Sequence, residues 1–309
     1  AKQCAEIFKF SKANILEIGA GNGEMAQKIL QYYQKNKIHL ENYYIYEIST
    51  TLKQTQQELL QKYHNIIWLQ ELPKNFQGCI IANEVLDALS VHRFCYNSQG
   101  LYEYFVTQKQ QQFIWQLQVA SENFLYQWQK IISDTQKAKL LQQYTNYNSE
   151  VNLNVISFLQ QLSNCLQQGS ILFFDYGYHT TEYYHPDRNN GTLSCYYQNQ
   201  KHYNPLINCG LQDITSHINF SQIANLGLKN NLELYGYCSQ ANFLLSCGIL
   251  DLWQDIYQDY VTKWQARQAM QQLLLPNAMG EICKAMLFSK NLQEINYLGF
   301  TQQDLSYLL

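Results

Sequence analysis

The residues with chemistry to offer are Glu17, Glu47, Asn83, Glu84, Asp87 and Asp175. Glu17 lies within one short apolar run, and Glu47, Asn83, Glu84 and Asp175 close others, so a parallel sheet would gather their carboxylates and amide at a single edge. The carboxylate of Glu47, at the end of a second strand, is placed to accept both hydroxyls of a ribose. Glu84 and Asp87 are three residues apart, one helical turn if a helix follows, and can face a cation together. Paired carboxylates suit a guanidinium: they grip its planar fork, bias its charge and accept its proton. The plainer alternative is that Glu84 caps the next helix and Asp87 is merely exposed.

The elements that must position these groups begin with Asn14-Ile15-Leu16-Glu17-Ile18-Gly19-Ala20-Gly21-Asn22-Gly23-Glu24. Ile15, Leu16 and Ile18 fill a buried strand, and glycines at 19, 21 and 23 let the backbone turn and approach a ligand closely. Met25, Ile29, Tyr32 and Tyr33 then recur at helical spacing, so the loop opens a helix. In the dinucleotide fingerprint a third glycine would stand at position 24; Glu24 stands there instead, and a carboxylate at a helix N-terminus repels a pyrophosphate. Glu17-x-Gly19-x-Gly21-x-Gly23 resembles motif I of the class I S-adenosylmethionine-dependent methyltransferases, whose ligand carries a sulfonium and no phosphate. The resemblance implies that Glu17, Gly19, Gly21, Gly23 and Glu47 bind that cofactor.

Further strands are expected at 42–48, 65–69, 79–82 and 170–174, with two last ones at 232–237 and 285–288. A helix starting near Ser149 or Asn152 precedes the strand at 170, and a long helix over Leu252 to Leu275 stops at Pro276. Between the fourth and fifth core strands, 91–96, 100–107 and 112–119 read as a meander, followed by a helical segment from Glu122 to Gln143. The insertion over 91–145 is expected either to cover a substrate or to extend the structure. The whole is read as one α/β domain over 1–309 with a seven-stranded, mostly parallel, Rossmann-like sheet.

With 46% hydrophobic residues in 309, a large core can form; charged residues are 15% and the net charge is −3, which disfavours nucleic acid and anionic membrane as partners. Nine scattered cysteines without a C-x-x-C pair indicate a reducing compartment and neither a disulfide frame nor a zinc site. His179, His185, His202 and His217 with Asp175 and Asp187 fit no standard ligand spacing, so no metal is expected. No apolar run approaches the about 18–20 residues that span a bilayer. The chain starts without an initiator Met, close to its first strand, so a preceding segment is expected, with a bacterial-type cytoplasm or, if a targeting segment was removed, the mitochondrial matrix as compartment.

Taken together, residues 17–23, Tyr46-Glu47-Ile48-Ser49, Ala82-Asn83-Glu84-Val85-Leu86-Asp87-Ala88-Leu89, Phe174-Asp175-Tyr176-Gly177-Tyr178, Gly191-Thr192-Leu193 and Asp213 to Phe220 resemble the MidA-like family. That family has the class I methyltransferase fold and includes the mitochondrial complex I assembly factor, a protein arginine methyltransferase acting on a subunit of that complex. The resemblance implies a protein substrate from a respiratory complex and substrate-facing roles for Asn83, Glu84 and Asp87. Members carry a Gly-Asp-Phe-x-Thr-Ala-Pro-Glu-like stretch ahead of motif I, which this sequence does not contain. Methyl transfer is an in-line displacement, so the protein needs only to align the acceptor and manage its positive charge. The rivals are a non-catalytic assembly or scaffold protein that still binds the cofactor, a small-molecule methyltransferase, and a nicotinamide oxidoreductase, which Glu24 disfavours.

Overall fold

A computed structural model describes all residues except 143–144, 255–259 and 293–296. The chain runs α1 (Lys2–Ile7), β1 (Asn14–Ile18), α2 (Glu24–Lys35), β2 (Asn42–Tyr46), α3 (Thr50–Leu60), β3 (Ile66–Leu69) and β4 (Phe76–Asn83). It continues through β5 (His92–Asn97), β6 (Gly100–Lys109), β7 (Gln112–Val119), α4 (Glu122–Ile131), α5 (Asp134–Leu140), β8 (Asn146–Val151) and α6 (Asn154–Cys165). Next come β9 (Leu166–Tyr178), α7 (Thr180–Tyr183), β10 (Ser194–Tyr197), β11 (Gln200–His202), β12 (Asp213–Thr215), β13 (Ile218–Asn219) and α8 (Phe220–Lys229). Last are β14 (Glu233–Ser239), α9 (Gln240–Ser246), α10 (Ile249–Gln254), α11 (Tyr260–Leu274) and β15 (Cys283–Lys290), followed by two short 3-10 turns.

Contacts divide the chain into two compact units. The first, residues 1–85, 159–176 and 224–308, holds seven strands of an eight-stranded sheet, in the order β14-β15-β9-β4-β1-β2-β3. The strands from β9 to β3 pair in parallel, and β15 is antiparallel to both its neighbours, as the apolar runs led one to expect of a mostly parallel sheet. Every residue of β1 is buried, because a central strand flanked by β4 and β2 has helices over both faces. In the amphipathic α2, Ala26, Ile29, Leu30 and Tyr33 face this core, joined by Ile15, Tyr43, Ile81 and Leu172.

The second unit, residues 86–158 and 177–223, is built from two insertions, one between β4 and β9 and one between β9 and β14. The expected meander is present, but β8 joins it to make a four-stranded antiparallel sheet in the order β7-β6-β5-β8. Trp128, Phe94, Tyr147, Tyr183 and Tyr184 form its core. A second sheet, β11-β10-β12, and β13, which pairs with Gly177 and Tyr178, complete it.

Several expectations are corrected. The helical segment from Glu122 to Gln143 is two helices: Ile132 leaves helical geometry and Ser133 opens α5 with a capping box; Gln143 lies outside the described residues. Ser149 is in strand β8, while Asn152 does serve as the helix-opening residue, its Oδ1 accepting from the Val155 N–H at 3.1 Å. Of the helix expected over Leu252 to Leu275, the described parts are α10 to Gln254 and α11 from Tyr260 to Leu274; residues 255–259 between them lie outside the described residues. No helix follows Glu84: residues 84–89 are turns and bends, so Glu84 caps nothing. Among the described residues, no helix is long and apolar enough to cross a membrane.

Candidate functional site

The glycine loop leaves β1 and is pinned to β2 by the Gly19 N–H, which donates to the Tyr46 carbonyl at 2.9 Å. Gly19, Gly21 and Gly23 all have positive φ (64°, 54° and 86°), which side chains with a Cβ rarely adopt. A Cβ on Gly19 would press on Val85 and one on Gly23 on Gln56, but one on Gly21 would meet nothing within 4 Å. Gly21 therefore presents bare backbone to open space, where a flat ligand can lie against the chain. Gly23 starts α2, and Asn22 Oδ1 accepts from the Glu24 N–H at 3.1 Å.

Glu47 stands beside this loop. Its Oε1 accepts from the Ser49 N–H (2.9 Å) and its Oε2 from Gln56 Nε2 (3.2 Å), which leaves lone pairs on both oxygens for a diol. Gln56 Nε2 also donates to the Gly21 carbonyl (2.8 Å), and Gln56 Oε1 accepts from the Trp68 indole N–H (3.1 Å). This fully buried side chain thus binds loop and carboxylate into one unit, a role that sequence reasoning missed. The available signal was a polar residue four positions before Leu60, on the side of α3 that faces the core.

Glu17 is placed differently from Glu47. It is 1% exposed, its Oε2 accepts from the Tyr43 hydroxyl at 2.7 Å, and burial pushes its carboxyl up to about 7, against the pull of that hydrogen bond and with a small push from the Glu47 charge. It supports the strand beneath the loop through Tyr43.

At the end of β4, Asn83 pairs in register with Phe174, and Glu84 turns the chain with φ 52°. A non-glycine residue there is strained by on the order of 1 kcal/mol or more. Two contacts hold it: the Glu84 N–H donates to the Phe174 carbonyl (2.9 Å), and the Val85 N–H to Asp175 Oδ2 (3.2 Å). Asp175 is fully buried and also accepts from the Tyr176 N–H (3.0 Å), so it organises the strand end. The Glu84 side chain reaches the surface, but nearby protein removes enough water to raise its carboxyl above the ordinary value, opposed by a hydrogen bond to the Tyr176 side chain. Glu17, Glu47, Asn83, Glu84 and Asp175 all belong to the first unit. Asp87 belongs to the second and is 5% exposed, not the surface residue of the plainer expectation; its carbonyl accepts from the Ser216 N–H at 3.0 Å.

This arrangement, a bare glycine turn tied through Gln56 to a carboxylate with acceptor capacity left over, fits a nucleoside-bearing ligand. The comparisons with known proteins give that ligand a name. A sequence model of S-adenosyl-L-methionine-dependent methyltransferases matches residues 1–238. A COG1565 superfamily member from Burkholderia thailandensis, crystallised with S-adenosyl-homocysteine, is 29% identical with a TM-score of 0.87, over 100% of this chain and 79% of that one. A second crystal structure of a protein of that superfamily and organism is 30% identical with a TM-score of 0.87, over 100% and 83%. No curated protein matches the chain by sequence. Because the glycine loop, Glu47 and the Glu84 turn all lie inside the matched residues, on a class I Rossmann-like sheet, the chain belongs to this family of S-adenosyl-L-methionine-dependent methyltransferases.

Proposed function

We propose that the chain methylates a guanidinium nitrogen of a protein arginine, with a respiratory-complex subunit as the substrate class that the MidA-like resemblance suggests. The observation that carries the reading is Glu84: a carboxylate on a strained turn at the end of β4, fixed by Phe174 and Asp175, with its proton affinity raised where nearby protein removes water. When bound, S-adenosylmethionine supplies an electrophilic methyl group on a sulfonium. Gly19, Gly21 and Gly23 let the backbone lie against the cofactor, and Glu47 takes its ribose hydroxyls. Glu84 accepts guanidinium N–H groups and then holds the proton that the methylated nitrogen gives up; its raised affinity makes it a better base than a free carboxylate. Asn83 orients the acceptor, and Asp87 keeps the substrate-facing role that the MidA-like resemblance implies.

The division of roles is tested by two substitutions. Glu47→Ala should weaken S-adenosylhomocysteine binding by about tenfold, the worth of one to two lost hydrogen bonds, measured by calorimetry. Glu84→Ala should leave that affinity unchanged within about twofold and lower kcat on an arginine peptide by about 100-fold or more, the usual size of a general-base contribution. The reverse pattern would reject the assignment, and absence of any binding at millimolar ligand would remove the enzymatic reading altogether. A second reading, a cofactor-binding scaffold, draws on the β6–β7 hairpin, where Phe105, Val106, Phe113, Ile114, Leu117 and Val119 are exposed. Cofactor binding without methyl transfer to any protein of a cell extract would favour it.

A further inference from the structure

The second unit contains a carboxylate for which the proposed reaction has no use. Glu150, in β8, is fully buried, and its Oε1 collects three donors: the Thr192 N–H at 2.6 Å, the Thr192 hydroxyl at 2.5 Å and the Tyr183 hydroxyl at 3.2 Å. Gly191 makes the approach possible, since any Cβ there would collide with Glu150 Oε2. Tyr184 adds a hydrogen bond to the Glu150 carbonyl at 3.2 Å. Burying a carboxylate is costly, and burial does raise this one, with Thr192, Tyr183 and the Arg93 charge opposing the rise.

The donors lead to one destination. Thr192 Oγ1, fixed by donating to Glu150, accepts from the His217 N–H at 2.9 Å, and the adjacent Ser216 N–H donates to the Asp87 carbonyl at 3.0 Å. From the same strand end, two residues beyond Glu150, Asn152 Nδ2 donates to the Leu86 carbonyl at 3.4 Å, and Gln222 Nε2 holds the Asn152 carbonyl at 2.9 Å. The backbone of Leu86–Asp87 is therefore held from two directions, and both lines start at the end of β8. With no helix after Glu84, these contacts take the place of helical hydrogen bonds in fixing the turn.

We propose that Glu150 is a positioning residue for the acceptor side of the site: through the Thr192 hydroxyl and the 216–217 backbone it fixes the turn that carries Asp87. This rests on the reading that Asp87 faces the methyl acceptor. Glu150 acts on the geometry of its neighbours. The Thr192 hydroxyl is the link, being at once donor to Glu150 and acceptor from His217.

The test uses Thr192→Val, which keeps the shape and removes the hydroxyl, with Thr192→Ser as the variant that returns it; Glu150→Ala and Glu150→Gln form a second pair. Three quantities are read: methyl transfer to a glycine-flanked single-arginine peptide, calorimetric affinity for S-adenosylhomocysteine, and hydrogen exchange at the Ser216 and His217 amides. In Thr192→Val, kcat should fall at least about tenfold at unchanged KM for S-adenosylmethionine and unchanged S-adenosylhomocysteine affinity, with exchange at both amides about tenfold faster. Thr192→Ser should restore kcat to within about threefold and return exchange to its original rate, and Glu150→Gln should likewise outperform Glu150→Ala, because its amide oxygen still accepts. Wild-type kcat in Thr192→Val, a parallel loss of cofactor affinity, or unaltered exchange would each overturn the proposal. If the wild-type chain binds S-adenosylhomocysteine but leaves the peptide unmethylated, the arginine reading fails, and the exchange rates alone then decide whether the clamp exists.

Discussion

Glu17 and Glu47 were expected to share a cofactor, yet the side chains around them differ. Glu47 keeps acceptor capacity beside the loop, whereas Glu17 is buried against Tyr43. Its carboxyl rises from 4.5 to about 7, chiefly by burial. The folded chain therefore binds that proton more tightly than the unfolded chain does. Stability should fall as pH rises between about 4.5 and 7, by on the order of 3 kcal/mol in all, and show no further slope from this group above that range. Glu17→Gln cannot ionise and should flatten that part of the profile in urea melts at pH 5 and pH 8; an equally steep fall in the variant would refute the assignment. The glycines and Glu47 were readable because strand, turn and acidic strand end follow one another in the chain. Gln56 and Tyr43 were not, since their partners are set by the packing of α3 and β2 against β1, and nothing local marks a buried glutamine as a bridge.

At the scale of elements, the parallel strands were legible because they are short apolar runs between helical patterns. β8 was not: its sequence Asn-Tyr-Asn-Ser-Glu-Val buries Ser149 and Glu150, so no hydrophobic alternation betrays it. The strands β10 to β13 are only two to four residues long, below what periodicity can register. A helix after Glu84 was the plainer expectation, with Asp87 one turn on, but Asn152 and Ser216 occupy the carbonyls of Leu86 and Asp87. Asn152 both opens α6 and holds that turn. Asn152→Ala should lose about 1–2 kcal/mol of stability, a helix cap plus one further hydrogen bond, seen as a lower urea midpoint at unchanged slope. A loss below about 0.3 kcal/mol would show that solvent replaces both contacts.

For the molecule as a whole, the chain enters its second unit twice, after Val85 just past β4 and after Tyr176 within β9. That the second unit draws on residues 177–223 as well as on the 91–145 insertion was hidden in the sequence, because its packing unites segments far apart along the chain. Composition sets the molecule's long-range behaviour more simply. With 15% charged residues and a net charge of −3, it has no basic field, so micromolar protein should leave duplex DNA unshifted on a native gel at physiological salt. A retarded band that salt abolishes would reveal a local basic patch. Within this weakly charged chain, the Gln56 bridge has an optical consequence. The Trp68 indole N–H ends on the same side chain that holds Gly21 and Glu47, so an intrinsic fluorophore is wired to the glycine loop. Titration with S-adenosylhomocysteine should shift tryptophan emission, and Trp68→Phe should silence the change while binding persists, giving a label-free readout of site occupancy.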